Sequence, residues 1–370
     1  MCTLDKSHTP SCLASDMEAH DHSEALIDAV RDALAPRRSL AIRGGNSKAF
    51  YGRVTEGESL DVSSHCGVIN YEPTELVITA RAGTVLTEIE TLLSQQRQML
   101  PFEPPGFGGR ATVGGCVAAG LSGPRRPYAG AVRDNLLGVE IINGKGERLK
   151  FGGEVMKNVA GYDLSRLMAG ALGTLGVLLQ CSFKVLPKPV RELTLVHRMD
   201  AASAIETMNN WARKPLPVSA TWHDGKALYV RLGGGEQAVT AAAETITGDR
   251  VDGGDTLWHD VREQTKQFFS DDRPLWRVSV PPATPVLNMP GVHALEWNGA
   301  LRWVKTDANA NEIRRMATAV GGHATLFRGG DRQGEVFQPL PAALMTAHRH
   351  VKRSLDPQGL FNPGRLYPDL

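Results

Sequence analysis

Apolar residues in the first half of the chain follow patterns that predict short buried strands alternating with amphipathic helices. Over 23–35, apolar side chains recur at helical spacing and share one face. Residues 76–80 form a continuous apolar run typical of a buried strand, and a second helix is predicted over 85–97. Further strands are predicted at 40–42, 60–62, 136–142, 147–151 and 177–186, with a hairpin turn at 143–146.

The second half continues with strands and helices in an order that predicts an antiparallel sheet with helices on one face. The Asn298-Gly299 pair is a type I′ hairpin signal. Gly233–Gly235 reads as a turn between a strand and a helix rather than as a phosphate loop. Strands are predicted at 192–198, 218–223, 227–232, 275–280, 293–297, 301–305 and 323–327, and helices at 201–213, 236–247, 255–269, 310–319 and 341–354. The two halves together predict an α+β fold.

Length and composition indicate an ordinary globular protein of two domains or two lobes. The chain has 370 residues, with 41 basic and 40 acidic side chains, so its charge gives no case for binding nucleic acid. No apolar run approaches about 18 residues, and the polar segment 1–22 is predicted to be a disordered tail without a signal-peptide core. The five cysteines form no C-x-x-C pair, which argues against a metal or iron–sulfur site and favours the cytoplasm.

Three glycine-rich segments are the candidates for ligand binding. The longest, within 111–143, places Gly114, Gly115 and Gly120 among small residues, and glycine lets a main chain approach a ligand closely. Arg43–Lys48, with the sequence RGGNSK, follows a predicted strand and offers N–H groups, a hydroxyl and a cation to an anion such as a pyrophosphate. The third cluster lies at 170–176. A glycine-rich surface loop or a plain turn is the alternative for each segment taken alone.

The same three segments resemble a known family. RGGNSK, ATVGGCVAAGLSGPRRPYAGAVRD and GYDLSRLMAGALGTLGVL are similar to the FAD-binding domain of the vanillyl-alcohol oxidase or PCMH type, and DPQGLFNPG near the C-terminus resembles the ending of FAD-linked oxidases. Segments such as LSGPRRPYAGAVRDNLLG and FGGEVMKNVAGYDLSRLM further resemble the E-subunit family of bacterial glycolate oxidases. The resemblance covers nearly all of the chain after about residue 23.

This resemblance implies a two-subdomain FAD-binding lobe over 23–190 and a C-terminal cap of antiparallel sheet and helices over 191–370. FAD would be non-covalent, because the turn at Asn46-Ser47-Lys48 lacks the histidine that carries the flavin in several relatives. A Gly45→Val change is expected to fill the place of the pyrophosphate. The implied FAD-binding residues are Arg43, Gly44, Gly45, Asn46, Ser47, Lys48, Pro105, Thr112, Val113, Gly114, Gly115, Ala118, Ala119, Gly120, Arg133, Asp134, Gly173, Gly176, Val177 and Asn362.

The substrate side of the site is less complete in the sequence. Oxidation of a 2-hydroxy acid by a flavin needs a cation for the carboxylate and a base for the hydroxyl proton. The H-G-D-G-N-x-H type segment of the related D subunit is missing, and no histidine pair has metal-binding geometry, so no metal is expected. His323 and Arg328 are the remaining catalytic candidates, with a structural histidine as the alternative for His323.

Three functions follow from the resemblance. The first is an FAD-binding subunit that passes electrons between a D-like catalytic flavoprotein and an iron–sulfur F-like partner of a glycolate oxidase complex. The second is a stand-alone FAD-dependent 2-hydroxy-acid dehydrogenase, and the third is a non-catalytic assembly subunit. A cytoplasmic location is expected, with any contact to the inner membrane made through partners.

Overall fold

The computed structural model describes residues 20–153 and 164–370. The predicted tail over 1–22 therefore lies almost wholly outside the described residues. Lys157 and Tyr162 also lie outside the described residues; from the sequence each is a candidate contact to an anionic or aromatic ligand, with a solvated lysine and a packed tyrosine as the alternatives.

The first lobe is built around a five-stranded antiparallel sheet in the order β3-β4-β8-β6-β7, with a separate parallel pair of β1 and β2. Helices α2 and α3 cover one face of this sheet and α1 packs on the other, so the central strands are buried on both sides. This explains their continuous apolar runs. The elements are α1 (Ser23–Leu34), β1 (Leu40–Arg43), β2 (Glu58–Asp61), β3 (Val68–Glu72), β4 (Val77–Arg81), α2 (Leu86–Gln95), β5 (Gln98–Met99), α3 (Val113–Ala119), α4 (Arg126–Ala129), α5 (Val132–Asn135), β6 (Leu136–Ile142), β7 (Arg148–Gly152), α6 (Ser165–Met168), β8 (Val177–Lys184) and β9 (Leu186–Pro187).

The cap contains an eight-stranded antiparallel sheet in the order β13-β10-β12-β11-β15-β16-β14-β17. Helices α7, α8 and α10 pack on its outer face, as the sequence predicts. The inner face packs against the first lobe and against α9, so the helices do not all lie on one face. The elements are β10 (Arg191–Arg198), α7 (Ala201–Trp211), β11 (Val218–His223), β12 (Ala227–Gly234), α8 (Glu236–Ile246), β13 (Asp249–Arg250), α9 (Gly254–Glu263), β14 (Leu275–Ser279), β15 (Val292–Glu296), β16 (Leu301–Lys305), α10 (Ala310–Ala319), β17 (His323–Arg328) and α11 (Ala342–Leu355).

The turn between β15 and β16 has the predicted geometry. Asn298 and Gly299 have φ angles of 56° and 84°, and the N–H of Ala300 donates to the carbonyl of Trp297 over 3.0 Å. Positive φ at both central residues is what a type I′ turn requires. The hairpin fixes the register in which Glu296 lies opposite Leu301.

The C-terminal segment returns from the cap to the first lobe. Leu360 and Phe361 pack in the core beside α1, and Phe361 bridges to Leu40 of β1. Lys352 of α11 is buried and donates to Asp356 over 2.7 Å and to the carbonyl of Thr174. Residues 352–362, which sequence reasoning placed in the cap, therefore pack against the first lobe, whereas Tyr367 contacts Phe337 of the cap. Within the described ranges, no helix is long and apolar enough to cross a membrane.

Candidate functional site

The three glycine-rich segments meet around one cavity of about 250 Å³ in the first lobe, which we call the glycine cavity. Its walls are the loop after β1, helix α3, the turn before β8 and the C-terminal segment. The predicted FAD-binding residues that line it are Arg43, Gly44, Gly45, Asn46, Ser47, Lys48, Thr112, Gly114, Gly115, Ala118, Ala119, Gly173, Gly176 and Asn362. The structure thus brings residues from four distant parts of the sequence to one place.

Four of the other predicted FAD-binding residues do not line the glycine cavity. Val113 and Val177 are buried in the cores on either side of the sheet, because they alternate with the residues that do line the cavity. Gly120 ends α3 with a φ of 64°. Pro105 lines a different and smaller cavity between the first lobe and the cap.

Arg133 and Asp134 also lie away from the glycine cavity. Both side chains are exposed on α5 and lie 3.7 Å apart as an ion pair, and the Asp134 carboxylate accepts the N–H of Ala131 at the start of that helix. Their local roles are therefore to pair with each other and to cap a short helix.

Sequence reasoning missed several small or apolar residues of the cavity wall. Val62 and Ala82 directly follow β2 and β4, so their position at strand ends was the available signal. Arg365 belongs to the Asn-Pro-Gly-Arg ending, so the resemblance could have identified it as a cavity residue. The missed lining residues are Ala41, Ile42, Ala49, Thr55, Val62, Ala82, Leu172, Leu178 and Arg365.

Part of the longest glycine-rich segment forms helix α3, which sequence reasoning did not predict. The Thr112 hydroxyl accepts the N–H of Gly115 at 3.2 Å and caps the helix, and the Gly114 N–H donates to the Ala82 carbonyl at 2.7 Å. The first N–H groups of this helix are therefore already paired. Its small side chains at Ala118 and Ala119 form an uncharged wall of the cavity.

The loop at 44–48 instead offers N–H groups that are suited to an anion. None of its N–H groups donates a hydrogen bond to another described residue, and Asn46 has a φ of 57°, a turn conformation in which successive N–H groups can converge on an anion. Lys48 is only 9% exposed, and its ammonium group contacts the Ser47 hydroxyl at 3.4 Å. Burial lowers the pKa of Lys48.

The charged residues that line the glycine cavity, among those that the structure describes, are all basic. Arg43, Lys48 and Arg365 line it, whereas no aspartate or glutamate does so among the described residues. Within those residues Lys48 has no carboxylate partner within 4 Å, although a buried ammonium normally has one. The cavity therefore favours a ligand with negative charge next to Lys48.

Close packing explains two of the cavity's glycines. A Cβ at Gly45 would lie 1.4 Å from the carbonyl oxygen of Arg110, so a valine there would displace the 110 segment before it could fill the cavity. The Gly45→Val change would therefore disturb the packing of the protein whether or not a ligand is bound. Loss of FAD from this variant would not locate the pyrophosphate. A Cβ at Gly173, where φ is 72°, would lie 2.6 Å from the Asn362 side chain.

The structure separates the two catalytic candidates. His323 and Arg328 lie at opposite ends of β17, a distance of about 17 Å at 3.3 Å per residue. His323 is exposed at the start of this edge strand. The two side chains are therefore too far apart to act on one small substrate.

Arg328 lines a second cavity of about 440 Å³ between α2, the 104–109 loop and α9, which we call the Arg328 cavity. Its guanidinium group lies 4.5 Å from the ring centre of Phe50 and donates to the Gln264 amide at 2.9 Å. Among the described residues, no carboxylate lies within 4 Å of it. The group is available to a carboxylate ligand.

Comparisons with known proteins agree with this geometry. Residues 19–152 match the model of the FAD binding domain family. The chain is 50% identical over 350 residues to the glycolate oxidase subunit GlcE of Escherichia coli, covering 95% of this chain and 99% of that one. The chain belongs to the glycolate oxidase E-subunit family.

More distant relatives share the first part of the chain. The glycolate oxidase subunit GlcD of Bacillus subtilis is 29% identical over 181 residues, which cover 48% of this chain and 38% of that protein. A solved structure of alkyldihydroxyacetonephosphate synthase superposes with a TM-score of 0.67 at 14% identity over 93% of this chain and 75% of that one. The latter likeness supports the α+β fold.

This E-subunit family member is an FAD-dependent oxidoreductase chain, and its glycine cavity fits the cofactor. FAD carries a pyrophosphate with two negative charges. The unpaired Lys48 ammonium and the free N–H groups at 44–48 match that charge, and the apolar wall of Ile42, Val62 and Leu178 suits the nucleoside part.

Proposed function

We propose that this chain is the FAD-carrying subunit of a glycolate oxidase complex and transfers electrons between a D-like flavoprotein subunit and an iron–sulfur F-like subunit. The observation that carries the proposal is that, among the described residues, no aspartate or glutamate lines the glycine cavity and no carboxylate lies within 4 Å of the buried Lys48 ammonium group. Bound FAD would supply the chemistry, since a flavin takes up two electrons together and releases them singly. The complex as a whole would oxidise glycolate to glyoxylate in the cytoplasm, with any membrane contact made through partners.

The chain's own residues hold and orient the cofactor in this proposal. Lys48 and the N–H groups of 44–48 bind the pyrophosphate, and Ala118, Ala119 and Gly173 allow close approach of the remaining cofactor atoms. We expect FAD to be bound non-covalently, because the turn at Asn46-Ser47-Lys48 contains no histidine. Asn362 fixes the distance between the walls, since its side chain bonds both Ile42 and Leu172.

One observation favours a second candidate, in which this chain also binds a 2-hydroxy acid. The Arg328 guanidinium is unpaired with any carboxylate of the described residues and faces a 440 Å³ cavity, which is ample for a small acid. In this candidate Arg328 holds the substrate carboxylate. His323 is too far from Arg328 to serve as the base on the same molecule.

An absorption spectrum of the purified full chain, followed by anaerobic addition of glycolate, separates these functions. Flavin bands that glycolate does not bleach support the electron-transfer subunit, and release of all the flavin by acid precipitation supports non-covalent binding. Bleaching supports the second candidate, and Arg328→Gln should then abolish it. A colourless chain that takes up no added FAD contradicts both and leaves an assembly role.

A further inference from the structure

A cavity of about 220 Å³ lies on the outer face of the cap sheet, and neither the resemblance nor the proposed function uses it. We call it the Arg302 cavity. Its base consists of two cross-strand pairs of the β15–β16 hairpin, in which His293 lies opposite Val304 and Leu295 opposite Arg302. Ala201, the first residue of α7, forms one side. The cap sheet therefore separates this cavity from the first lobe, which packs on the inner face.

The loop between β14 and β15 covers the Arg302 cavity. Arg302 holds the first part of this loop, since its guanidinium group donates to the carbonyls of Thr284 at 2.6 Å and Pro285 at 3.5 Å. His293 holds the last part, because its Nε2 atom donates to the carbonyl of Met289 at 2.7 Å. Two residues of the base thus fix the loop that closes the cavity.

The lining of the Arg302 cavity is mostly apolar. Val286 is 43% exposed, so the cavity opens to solvent beside it. An apolar cavity of about 150 Å³ can enclose a benzene molecule, so this larger one can hold a ligand of about six to nine non-hydrogen atoms. The apolar lining residues are Ala201, Val286, Leu287, Met289, Leu295 and Val304.

Arg302 is a buried charge that lacks a counter-charge among the described residues. It is 3% exposed, no described carboxylate lies within 4 Å of it, and no aspartate or glutamate is among the lining residues. Its third hydrogen bond goes to the carbonyl of Gly299 at 2.5 Å, so described residues accept from three of its five N–H groups. Burial lowers the pKa of Arg302 to about 10. Because buried charges in proteins are normally paired, the cavity favours an anionic ligand.

We propose that the Arg302 cavity binds an aliphatic monocarboxylate of about four to seven carbon atoms. The carboxylate accepts hydrogen bonds from the remaining N–H groups of Arg302, and the hydrocarbon chain packs on the apolar lining. Glycolate is a poor ligand for this site, since it has no chain to bury there. The site goes beyond the proposed function and does not require bound FAD.

Ligand binding on the outer face also affects the inner face, because both faces belong to one hairpin. Leu301 and Trp303 alternate with Arg302 along β16 and pack in the core that the cap shares with the first lobe. Asp200, the acidic residue next to Ala201 in the sequence, accepts the N–H of Ser203 at 2.8 Å as the cap of α7 and is not among the lining residues. A bound carboxylate should therefore stabilise the folded cap.

The test is isothermal titration of the full-length chain with hexanoate and with hexan-1-ol, which has the same chain length and no charge. Hexanoate should bind about 10- to 100-fold more tightly, the ratio expected of a charge-assisted hydrogen bond. Glycolate should not displace bound hexanoate. Equal affinities for hexanoate and hexan-1-ol, or no binding of hexanoate, would overturn the inference and would leave the proposed function untouched.

Three variants locate the bound acid. Ala201→Leu, which fills the cavity from α7, should weaken hexanoate binding at least tenfold, whereas Ala202→Leu, at the exposed neighbouring residue, is the matched control and should bind as the wild type does. Arg302→Met should remove the preference for hexanoate over hexan-1-ol. If Arg302→Met does not fold, Ala201→Leu still decides, and an unchanged affinity in that variant counts against the site.

A spectroscopic measurement needs no change in the cavity itself. The methyl resonance of Met289, assigned with Met289→Leu, should shift in the wild-type chain as hexanoate is added, because Met289 lines the cavity. Hexanoate should also raise the midpoint temperature of thermal unfolding, and glycolate at the same concentration should raise it less. Binding of hexanoate without a shift of the Met289 methyl resonance would place the acid elsewhere and refute the proposal.

Discussion

Lys48 is the residue whose position most directly reports on the cofactor. Its ammonium group is buried beside free N–H groups and lies 5.6 Å from the Phe107 ring, with only the Ser47 hydroxyl as a hydrogen-bond partner among the described residues. A charge-assisted bond to an anion contributes about 1.5–3 kcal/mol. Bound FAD would therefore satisfy a group that the protein itself leaves unpaired.

Replacing Lys48 by methionine should weaken FAD binding by about 10- to 100-fold, following from that energy. The free chain should be at least as stable as the wild type, because a buried charge is removed. Isothermal titration with FAD and thermal unfolding without it measure the two effects. Lys188→Met, at an exposed lysine, is the control. An unchanged FAD affinity in Lys48→Met would contradict the placement of the pyrophosphate.

Single residues differed in how far the sequence could predict them. The residues of RGGNSK line the glycine cavity because they occupy one tight turn, which local sequence determines. Arg133 and Asp134 do not line the cavity. Two adjacent residues in a sequence do not determine which side of a short helix faces the cavity. Glu296 carries no motif at all. Its burial depends on the first lobe, whose residues 121–123 are far away in the sequence.

At the level of elements, the glycine cavity depends on a bridge between two segments. The Asn362 amide donates to the Leu172 carbonyl at 2.6 Å, and its oxygen accepts the Ile42 N–H at 2.8 Å. One side chain thus ties the end of β1 to the turn before β8. Both segments are walls of the cavity.

Asn362→Asp should lower the free energy of unfolding by about 1–3 kcal/mol, because a carboxylate cannot donate to Leu172 and leaves that carbonyl unsatisfied. FAD affinity should fall with it, in contrast to Lys48→Met, where only affinity falls. Urea unfolding and FAD titration of the same preparations measure both. Asn362→Asp with normal stability and normal FAD affinity would show that the bridge is dispensable.

Strands and helices with strong periodicity were predicted well, and elements fixed by tertiary contacts were not. The buried strands β4, β6 and β8 carry continuous apolar runs and appear where expected. Helix α3 was missed because its glycines disfavour a helix, and it forms around the Thr112 cap and the pairing of Gly114 with Ala82. Strand β3 was also missed, since its residues are partly exposed and lack an apolar run.

At the level of the whole molecule, buried charges join the two lobes. Glu103 of the first lobe contacts Arg231 of the cap at 2.9 Å, and Arg125 contacts Glu192 at 2.5 Å. Burial alone would raise the pKa of Glu103, but Arg231 and Arg125 outweigh it and hold that pKa below its ordinary value. This network therefore stabilises the folded protein at neutral pH and weakens as acid protonates Glu103.

Arg231→Met should destabilise the protein by about 3–5 kcal/mol, because it leaves Glu103 buried with less compensation. The double variant Glu103→Gln with Arg231→Met should cost less than the sum of the single variants. Thermal and urea unfolding measure these values, and Arg198→Met, at an exposed arginine of the same sheet, is the control. Additive effects of the two changes would mean that the pair does not join the lobes.

The two lobes contain separate sheets, and the change from one sheet to the other falls between β9 and β10. The domain boundary at 190 stays a prediction of the resemblance. The return of the C-terminal segment to the first lobe was not predictable from local sequence, because it depends on contacts between residues about 320 positions apart. The resemblance identified the Asn-Pro-Gly motif but not the part of the fold that it completes.

That return has a consequence for how the protein is made. A ribosome synthesises the loop at 44–48 long before the wall that Asn362 and Arg365 contribute. The cavity is therefore incomplete until that later segment has been made and has packed against the first lobe. We expect a chain truncated before Asn362 to lack this wall and to bind FAD more weakly than the whole chain does.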